Sequence, residues 1–162
     1  MGNSGKITKN QEKSIMFQGA TSLSIDAKGR LMIPSRYRIS LQGGGKESLV
    51  LTAHPHRCLL LYPIKSWDPI RSKLMTFSSF DKTASAYKRV LVGFAEELEL
   101  DNSGRLLISP ALRQFAKFEK QVMLIGQGSH FEIWSRTFWD KQLENLEIEP
   151  STMSPDFQGF SL

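Results

Sequence analysis

The stretch LSIDAKGRLMI, residues 23–33, decides the fold, because a second copy of it follows later in the chain. The second copy is LELDNSGRLLI, residues 98–108, which lies 75 residues downstream. In each copy apolar and polar residues alternate, the alternation breaks at Asp-x-x-Gly, and then it resumes. This pattern predicts two short strands joined by a tight turn, and therefore a β-hairpin in each copy.

Four turn residues are expected to have a structural role: Asp26, Gly29, Asp101 and Gly104. An aspartate at the start of a turn accepts backbone N–H groups, and a glycine at its close tolerates a positive φ. Arg30 and Arg105 follow the glycines, so we expect them on the open side near the tip. An ion pair between Asp26 and Arg30 is a further expectation. Side chains alternate across a strand, which places Leu23, Ile25, Leu31 and Ile33 on one buried face.

The repeat continues beyond these two stretches. Leu61-Tyr62 matches Ile133-Trp134 and Trp67-Asp68 matches Trp139-Asp140, at an offset of 72 residues. The first copy therefore carries three extra residues, which residues 42–46 accommodate best. Two long copies favour two homologous halves, each with a hairpin, a short helix, strands and a short helix. The expected fold is mainly β with short helices.

Local signals place further elements. Pro34 suits the first turn of a helix that runs to Leu41, and Ser109 is the expected N-cap of its counterpart. Buried strands are predicted at residues 49–52, 58–62, 121–125 and 131–134. Residues 88–95 are predicted to form the strand that leads into the second copy. Trp139, Leu143 and Leu146 have the spacing of a closing amphipathic helix.

Composition limits the class of protein. The 162 residues contain no apolar run of about 18 residues and no signal-peptide core, so we expect a cytoplasmic protein without a membrane partner. One cysteine, Cys58, cannot build a disulfide framework. No nucleophile elbow, zinc-protease helix or phosphate-binding loop is present, so an enzyme is not expected, nor is a cofactor.

The net charge of +5 is unevenly distributed. Residues 1–75 hold 12 Lys and Arg against 4 Asp and Glu, whereas residues 76–162 hold 9 against 12. A basic half indicates a nucleic-acid partner, although a solvated basic face explains charge alone equally well. Four cations fall within eleven residues at the first turn: Lys28, Arg30, Arg36 and Arg38.

A two-stranded ribbon fits the major groove of duplex DNA, where arginine grips phosphate or pairs with guanine. The second turn has Ser103 in place of Lys28 and is flanked by glutamates. Arg105 therefore has two interpretations, a DNA contact or a structural partner of Asp101. His54, His56 and Cys58 resemble metal ligands, but Pro55 and Arg57 interrupt them, and we do not expect a metal site.

These residues resemble the MraZ family of bacterial regulators, which carry two tandem SpoVT-AbrB-type domains. The resemblance rests on Met16-Phe17-x-Gly19, on Asp26-x-Lys28-Gly29-Arg30-x-x-x-Pro34, on Asp101-x-x-Gly104-Arg105 and on residues 131–134. It implies a swapped-hairpin, double-split β-barrel in which the two halves form a pseudo-twofold pair. It also implies a homo-oligomeric ring, a location on the nucleoid, and binding to short G-rich direct repeats upstream of the division and cell-wall gene cluster.

The expected organisation is a flexible extension at 1–15, SpoVT-AbrB-like domains at 20–67 and 95–138, and a flexible tail at 147–162. The expected function is transcription regulation through duplex DNA, with DNA-binding residues Lys28, Arg30, Arg36, Arg38 and Arg105. An antitoxin-like protein-interaction module of the same fold is the alternative, and RNA binding is a weaker one.

Overall fold

The computed structural model describes residues 16–43, 45–149, 154–157 and 159–160. The expected extension at 1–15 lies outside these ranges, and so does part of the expected tail. The described strands are β1 (Ala20–Ser24), β2 (Arg30–Met32), β3 (Leu49–Ala53), β4 (Leu59–Pro63), β5 (Glu96–Leu98), β6 (Arg105–Leu107), β7 (Gln121–Gly126) and β8 (Phe131–Ser135). The helices are α1 (Ser35–Leu41), α2 (Ile64–Met75), α3 (Lys82–Leu91), α4 (Pro110–Phe115) and α5 (Arg136–Glu144), followed by a 3₁₀ turn at Pro155–Phe157.

Short helices and many strands confirm the predicted fold class. Six antiparallel strands form one sheet in the order β1-β7-β8-β4-β3-β5, and β2 pairs with β6 in a second, two-stranded sheet. Replacing each strand by its counterpart in the other copy reverses the order of the large sheet. The two copies are therefore related by a pseudo-twofold axis between β4 and β8.

The prediction that each copy closes on itself as a hairpin is wrong. β1 pairs with β7 of the second half, with Ala20 opposite Ile125, and β2 pairs with β6, with Leu31 opposite Leu106. Within the first copy a single bridge, Ile25 to Leu31, joins the two arms beyond the turn itself. The halves thus exchange strands, because β7 and β6 offer the arms longer ladders than they offer each other.

The segment at residues 88–95 is also different from the prediction. Residues up to Leu91 belong to α3, and the strand that leads into the second turn is β5. Asp81 caps α3 by accepting a hydrogen bond from the Ala84 N–H at 2.7 Å. Apolar residues at 90–92 fit a buried strand or a helix face equally well, and the cap upstream selects the helix.

The large sheet is covered on both faces, which explains why every residue of β3 and β4 is buried. One face packs against the ribbon β2–β6, where Leu31, Ile33, Leu106 and Ile108 are fully buried. The other face packs against α2 and α5 through Trp67, Trp134 and Trp139. Leu23 is only partly buried, while Ile25, Leu31 and Ile33 confirm the predicted core face.

Other local predictions are confirmed. α1 and α4 begin after Pro34 and Ser109, and the Ser109 hydroxyl accepts the Leu112 N–H. The three extra residues of the first copy lie between α1 and β3, as predicted. α5 ends at Glu144, however, and leaves Leu143 and Leu146 exposed, so the predicted apolar face does not extend to them. Throughout the described ranges, every helix is too short or too polar to cross a bilayer.

Candidate nucleic-acid interface

The first turn is built around one carboxylate. Asp26 Oδ1 accepts the backbone N–H groups of Lys28 and Arg30, both at 2.9 Å, and Asp26 Oδ2 accepts Arg30 Nε at 2.8 Å. Gly29 closes the turn at φ 80° and donates its N–H to the Asp26 carbonyl at 3.0 Å. The predicted ion pair and glycine role are both present. The carboxylate thereby fixes the backbone of the turn and one edge of the Arg30 guanidinium.

The second turn repeats the same bonds. Asp101 Oδ1 accepts from Ser103 and Arg105 at 2.9 Å each, Asp101 Oδ2 accepts Arg105 Nε at 2.7 Å, and Gly104 has φ 81°. Arg105 is therefore a structural partner of Asp101 through its Nε atom, as one interpretation held. Arg30 has the same bond to Asp26, so this contact does not distinguish the two arginines. The turns differ in chemistry at Lys28 and Ser103.

Each turn is held by the opposite half of the chain. The Ile33 N–H donates to the Gly104 carbonyl at 3.0 Å, and the Ile108 N–H donates to the Gly29 carbonyl at 2.9 Å. These reciprocal bonds lie at the two ends of the ribbon β2–β6. A turn held at both its base and its closing glycine loses little conformational freedom when it binds a partner.

The exposed face of the ribbon carries both arginines. Residues opposite each other in an antiparallel pair share a face, so Arg30, Leu107, Met32 and Arg105 lie together on one side. Leu31 and Leu106 lie on the buried side. Arg30 and Arg105 are diagonal neighbours, which corresponds to about 7–8 Å between Cα atoms. The two turns therefore present one continuous surface, with Met32 and Leu107 exposed between the two guanidinium groups.

The structure separates the four cations that the sequence groups together. Lys28 is exposed at the first turn, where Arg30 also lies. Arg36 lies against β1, where its Nη2 atom donates to Thr21 Oγ1 at 2.9 Å and its guanidinium sits 4.5 Å from the centre of the Tyr37 ring. Arg38 crosses to the other end of the ribbon, and its Nε atom donates to the Ile33 carbonyl at 2.8 Å.

Arg38 packs against the second turn, not the first. A Cβ atom at Gly104 would collide with the Arg38 guanidinium, and a Cβ atom at Gly29 would lie 2.8 Å from Arg113 Cζ. Arg113 stands 75 residues after Arg38 and is its counterpart on α4. Each turn is thus completed by an arginine from the other half. The sequence analysis missed Arg113, although the repeat offset applied to Arg38 could have found it.

The histidine and cysteine cluster has a structural explanation. The His54 and His56 rings contact each other at 4.5 Å, and His54 Nδ1 accepts the His56 N–H at 3.0 Å. Burial, and then the nearby Glu132 carboxylate, raise the pKa of the Cys58 thiol. Across the residues that the structure describes, no three His, Cys, Asp or Glu side chains are grouped as metal ligands.

Comparison with known proteins places the chain in a family. The family model described as "MraZ protein, putative antitoxin-like" matches residues 16–90 and again residues 91–158. Together these matches cover most of the chain. The chain belongs to the MraZ family. The two matches correspond to the two copies seen in the sequence and in the strand order.

Members of the MraZ family resemble the chain over nearly its whole length. A protein of Methylobacillus flagellatus named transcriptional regulator MraZ is 60% identical over 148 residues, which cover 91% of this chain and all of that protein. Proteins with the same name from Aromatoleum aromaticum and Dechloromonas aromatica are 51% and 58% identical, covering 91% and 83% of this chain and 100% and 90% of those proteins.

The turn carboxylates of this MraZ-family chain predict an acid-sensitive interface. The Arg30 backbone N–H, against partial desolvation, and then the Arg30 guanidinium hold the pKa of Asp26 below its ordinary value, and Arg105 does the same to the pKa of Asp101. Because these pKa values are lowered in the folded state, the carboxylates stabilise the turns above about pH 3.9, the ordinary aspartate value. That contribution is lost as the pH falls through the lowered values.

We expect the amide resonances of Lys28 and Ser103 to shift with midpoints below about pH 3.9 in an NMR titration. Asp26→Asn is the matched control, because it removes the transition at Lys28 and leaves the one at Ser103. A midpoint at or above the ordinary aspartate value at either turn would contradict this account.

Proposed function

We propose that this chain is a sequence-specific DNA-binding transcriptional regulator. Its relatives carry the name transcriptional regulator, which supports the broad class. The observation that carries the proposal is the ribbon face, on which two clasped Asp-x-x-Gly-Arg turns hold Arg30 and Arg105 side by side. A two-stranded ribbon of this kind fits a DNA groove, and arginine on its face pairs with guanine edges or phosphates.

The finer proposal follows the family resemblance. The target is a set of short G-rich direct repeats upstream of the division and cell-wall gene cluster, which includes the protein's own promoter region. The SpoVT-AbrB-like units at 20–67 and 95–138 each supply one turn, and Lys28, Arg30, Arg36, Arg38 and Arg105 supply the cations. A homo-oligomeric ring on the nucleoid presents several such faces, so that modest affinities at single repeats are multiplied by effective concentration.

A footprint on the DNA upstream of the protein's own gene tests the proposal. We expect protection of regularly spaced repeats, and a scrambled duplex of equal composition bound far more weakly. Native mass spectrometry of the same sample gives the number of subunits in the assembly. Equal affinity for the two duplexes would reject sequence-specific regulation.

Lys28→Ala is expected to weaken DNA binding and to flatten its salt dependence. Lys28 is an exposed lysine at the first turn, and each phosphate contact contributes about 0.9 to the slope of log affinity against log salt. The change concerns affinity more than sequence preference, because a phosphate contact does not read bases. Ser103→Ala at the matched position of the second turn is the control. An unchanged salt slope would assign Lys28 to solvent.

An antitoxin-like interaction module is the second candidate, because the description of the family model includes that term. Such a protein binds a toxin through an extended segment, for which the tail at 147–162 is the candidate here. Co-purification with a toxin-like protein, together with no retention of the upstream duplex, would favour this candidate over the first. Retention of duplex RNA over duplex DNA at equal salt would favour RNA binding.

A further inference from the structure

An open groove of about 980 Å³ lies beside the first turn. One wall is Asp26 and Ala27 of the first half, and the other wall is the end of α4 with the segment that leads into β7. The strand exchange produces this groove, because the Ile25 N–H donates to the Lys120 carbonyl at 2.8 Å. Residues almost a hundred positions apart thus border one depression next to Lys28 and Arg30.

Three cations of the second half line this groove: Arg113, Lys117 and Lys120. Within the described ranges, no carboxylate lies within ion-pair distance of any of them, and the buried Nε atom of Arg113 has no hydrogen-bond partner. Two carboxylates also line the groove. Asp26 is engaged by Arg30, which leaves Glu119 against three cations. The groove therefore has an excess of positive charge.

Lys117 has a backbone conformation that favours glycine. Its φ is 56°, and the Phe118 N–H closes the end of α4 by donating to the Arg113 carbonyl at 3.0 Å. Glycine is the usual residue at this position after a helix, because a side chain there is strained. A strained lysine that projects its charge toward a cationic groove is a feature that folding alone does not require.

The second turn has no equivalent set of cations. The repeat offsets match Arg113 with Arg38, Lys117 with Gln42 and Lys120 with Ser48, while Glu119 matches Glu47. Glu47 itself pairs with Lys65 at 3.2 Å. The two lysines are thus specific to the groove beside the first turn. The pseudo-twofold symmetry of the backbone is not matched by the charge.

We propose that this groove binds the phosphate backbone of duplex DNA beside the bases that the first turn contacts, with Lys117 and Lys120 as phosphate-binding residues. The inference rests on the proposed DNA-binding function and extends it to residues of the second half. One turn then has a phosphate clamp and the other lacks one. This asymmetry gives the bound DNA a direction, which direct repeats require and palindromes do not.

The test is a salt titration of DNA binding with the full chain. The double variant Lys117→Gly with Lys120→Gln removes both charges, and glycine at 117 also relieves the backbone strain. We expect the salt slope to fall by about 1.8, which corresponds to two phosphate contacts. Affinity at low salt falls by at least tenfold, while the preference for the repeat over a scrambled duplex stays the same. Thermal stability stays the same or rises, which separates loss of a contact from loss of fold.

A control variant, Lys82→Gln with Lys141→Gln, removes two lysines of α3 and α5 that do not line the groove. Its salt slope is expected to match the wild type. A slope change in the control as large as in the groove variant would overturn the site in favour of net charge alone. The variant Gln42→Lys with Ser48→Lys installs the two lysines beside the second turn and is expected to steepen the slope.

The two proposals fail in different ways. If the wild-type protein does not retain the upstream duplex, the proposed function fails. If Arg30→Ala weakens binding while the groove variant leaves both slope and affinity unchanged, only the groove inference is overturned. Saturation of the Lys117 and Lys120 resonances by inorganic phosphate at constant ionic strength, without competition from duplex DNA, would assign the groove to a free anion and overturn the DNA assignment.

Discussion

Phe131→Ala is expected to lower the free energy of unfolding by about 3–5 kcal/mol. The Phe131 ring is fully buried, and its centre lies 4.4 Å from that of Phe17 and 4.8 Å from that of Tyr37. Phe131 belongs to β8 of the second half, whereas Phe17 precedes β1 and Tyr37 belongs to α1. Removal of the ring therefore leaves a cavity at a place where the two halves share one core.

Chemical denaturation at fixed protein concentration measures this loss. We expect one unfolding transition in both proteins, because the exchanged strands leave neither half with a complete sheet. Phe80→Ala is the matched control. The Phe80 side chain is fully exposed, so its removal is expected to change stability by less than about 0.5 kcal/mol. Two separate transitions, or a loss at Phe131 similar to that at Phe80, would contradict a shared core.

The elements of this fold could be predicted from the sequence, but the pairing of its strands could not. Alternation at residues 23–33 indicates which side chains are buried, and Ile25, Leu31 and Ile33 are indeed in the core. Alternation contains no information about which neighbour supplies the hydrogen bonds. The two arms of each copy are adjacent in sequence, and proximity favours a hairpin over the exchange that the structure shows.

The chemistry of the turns was equally predictable, because it is local. An aspartate, a glycine and an arginine at fixed spacing determine the bonds at Asp26 and at Asp101 without help from the rest of the chain. Arg38 and Arg113 depend on the exchange, since each reaches the turn of the opposite half. Lys117 and Lys120 border the first turn for the same reason. Cations that act together here are distant in sequence, so charge counted along the chain misplaces them.

Arg30→Ala is expected to weaken binding to a duplex with a single repeat by about 1–3 kcal/mol, the usual range for an arginine that pairs with guanine. The Nε atom of Arg30 is engaged by Asp26, and within the described ranges its two terminal nitrogens have no protein partner. These nitrogens can therefore pair with the O6 and N7 atoms of a guanine while Asp26 fixes the plane of the guanidinium. A duplex with several repeats is expected to show a larger loss, because several faces of the proposed ring bind at once.

Arg30→Lys separates base reading from charge. Lysine retains the positive charge but lacks the planar fork, so we expect it to keep most of the salt slope and lose discrimination between guanine and other bases. The measurement is the affinity ratio between the repeat and a duplex with the guanine replaced. A ratio equal to that of the wild-type protein would show that Arg30 contacts phosphate only.

Arg105→Ala is the matched variant at the second turn, where the arginine has the same bond to its aspartate. We expect a smaller loss than at Arg30, because Ser103 replaces Lys28 and glutamine and serine replace the two groove lysines. Equal losses at the two turns would mean that the backbone geometry, which is symmetric, governs binding. A larger loss at Arg30 means that the surrounding charge, which is asymmetric, decides which turn anchors the DNA.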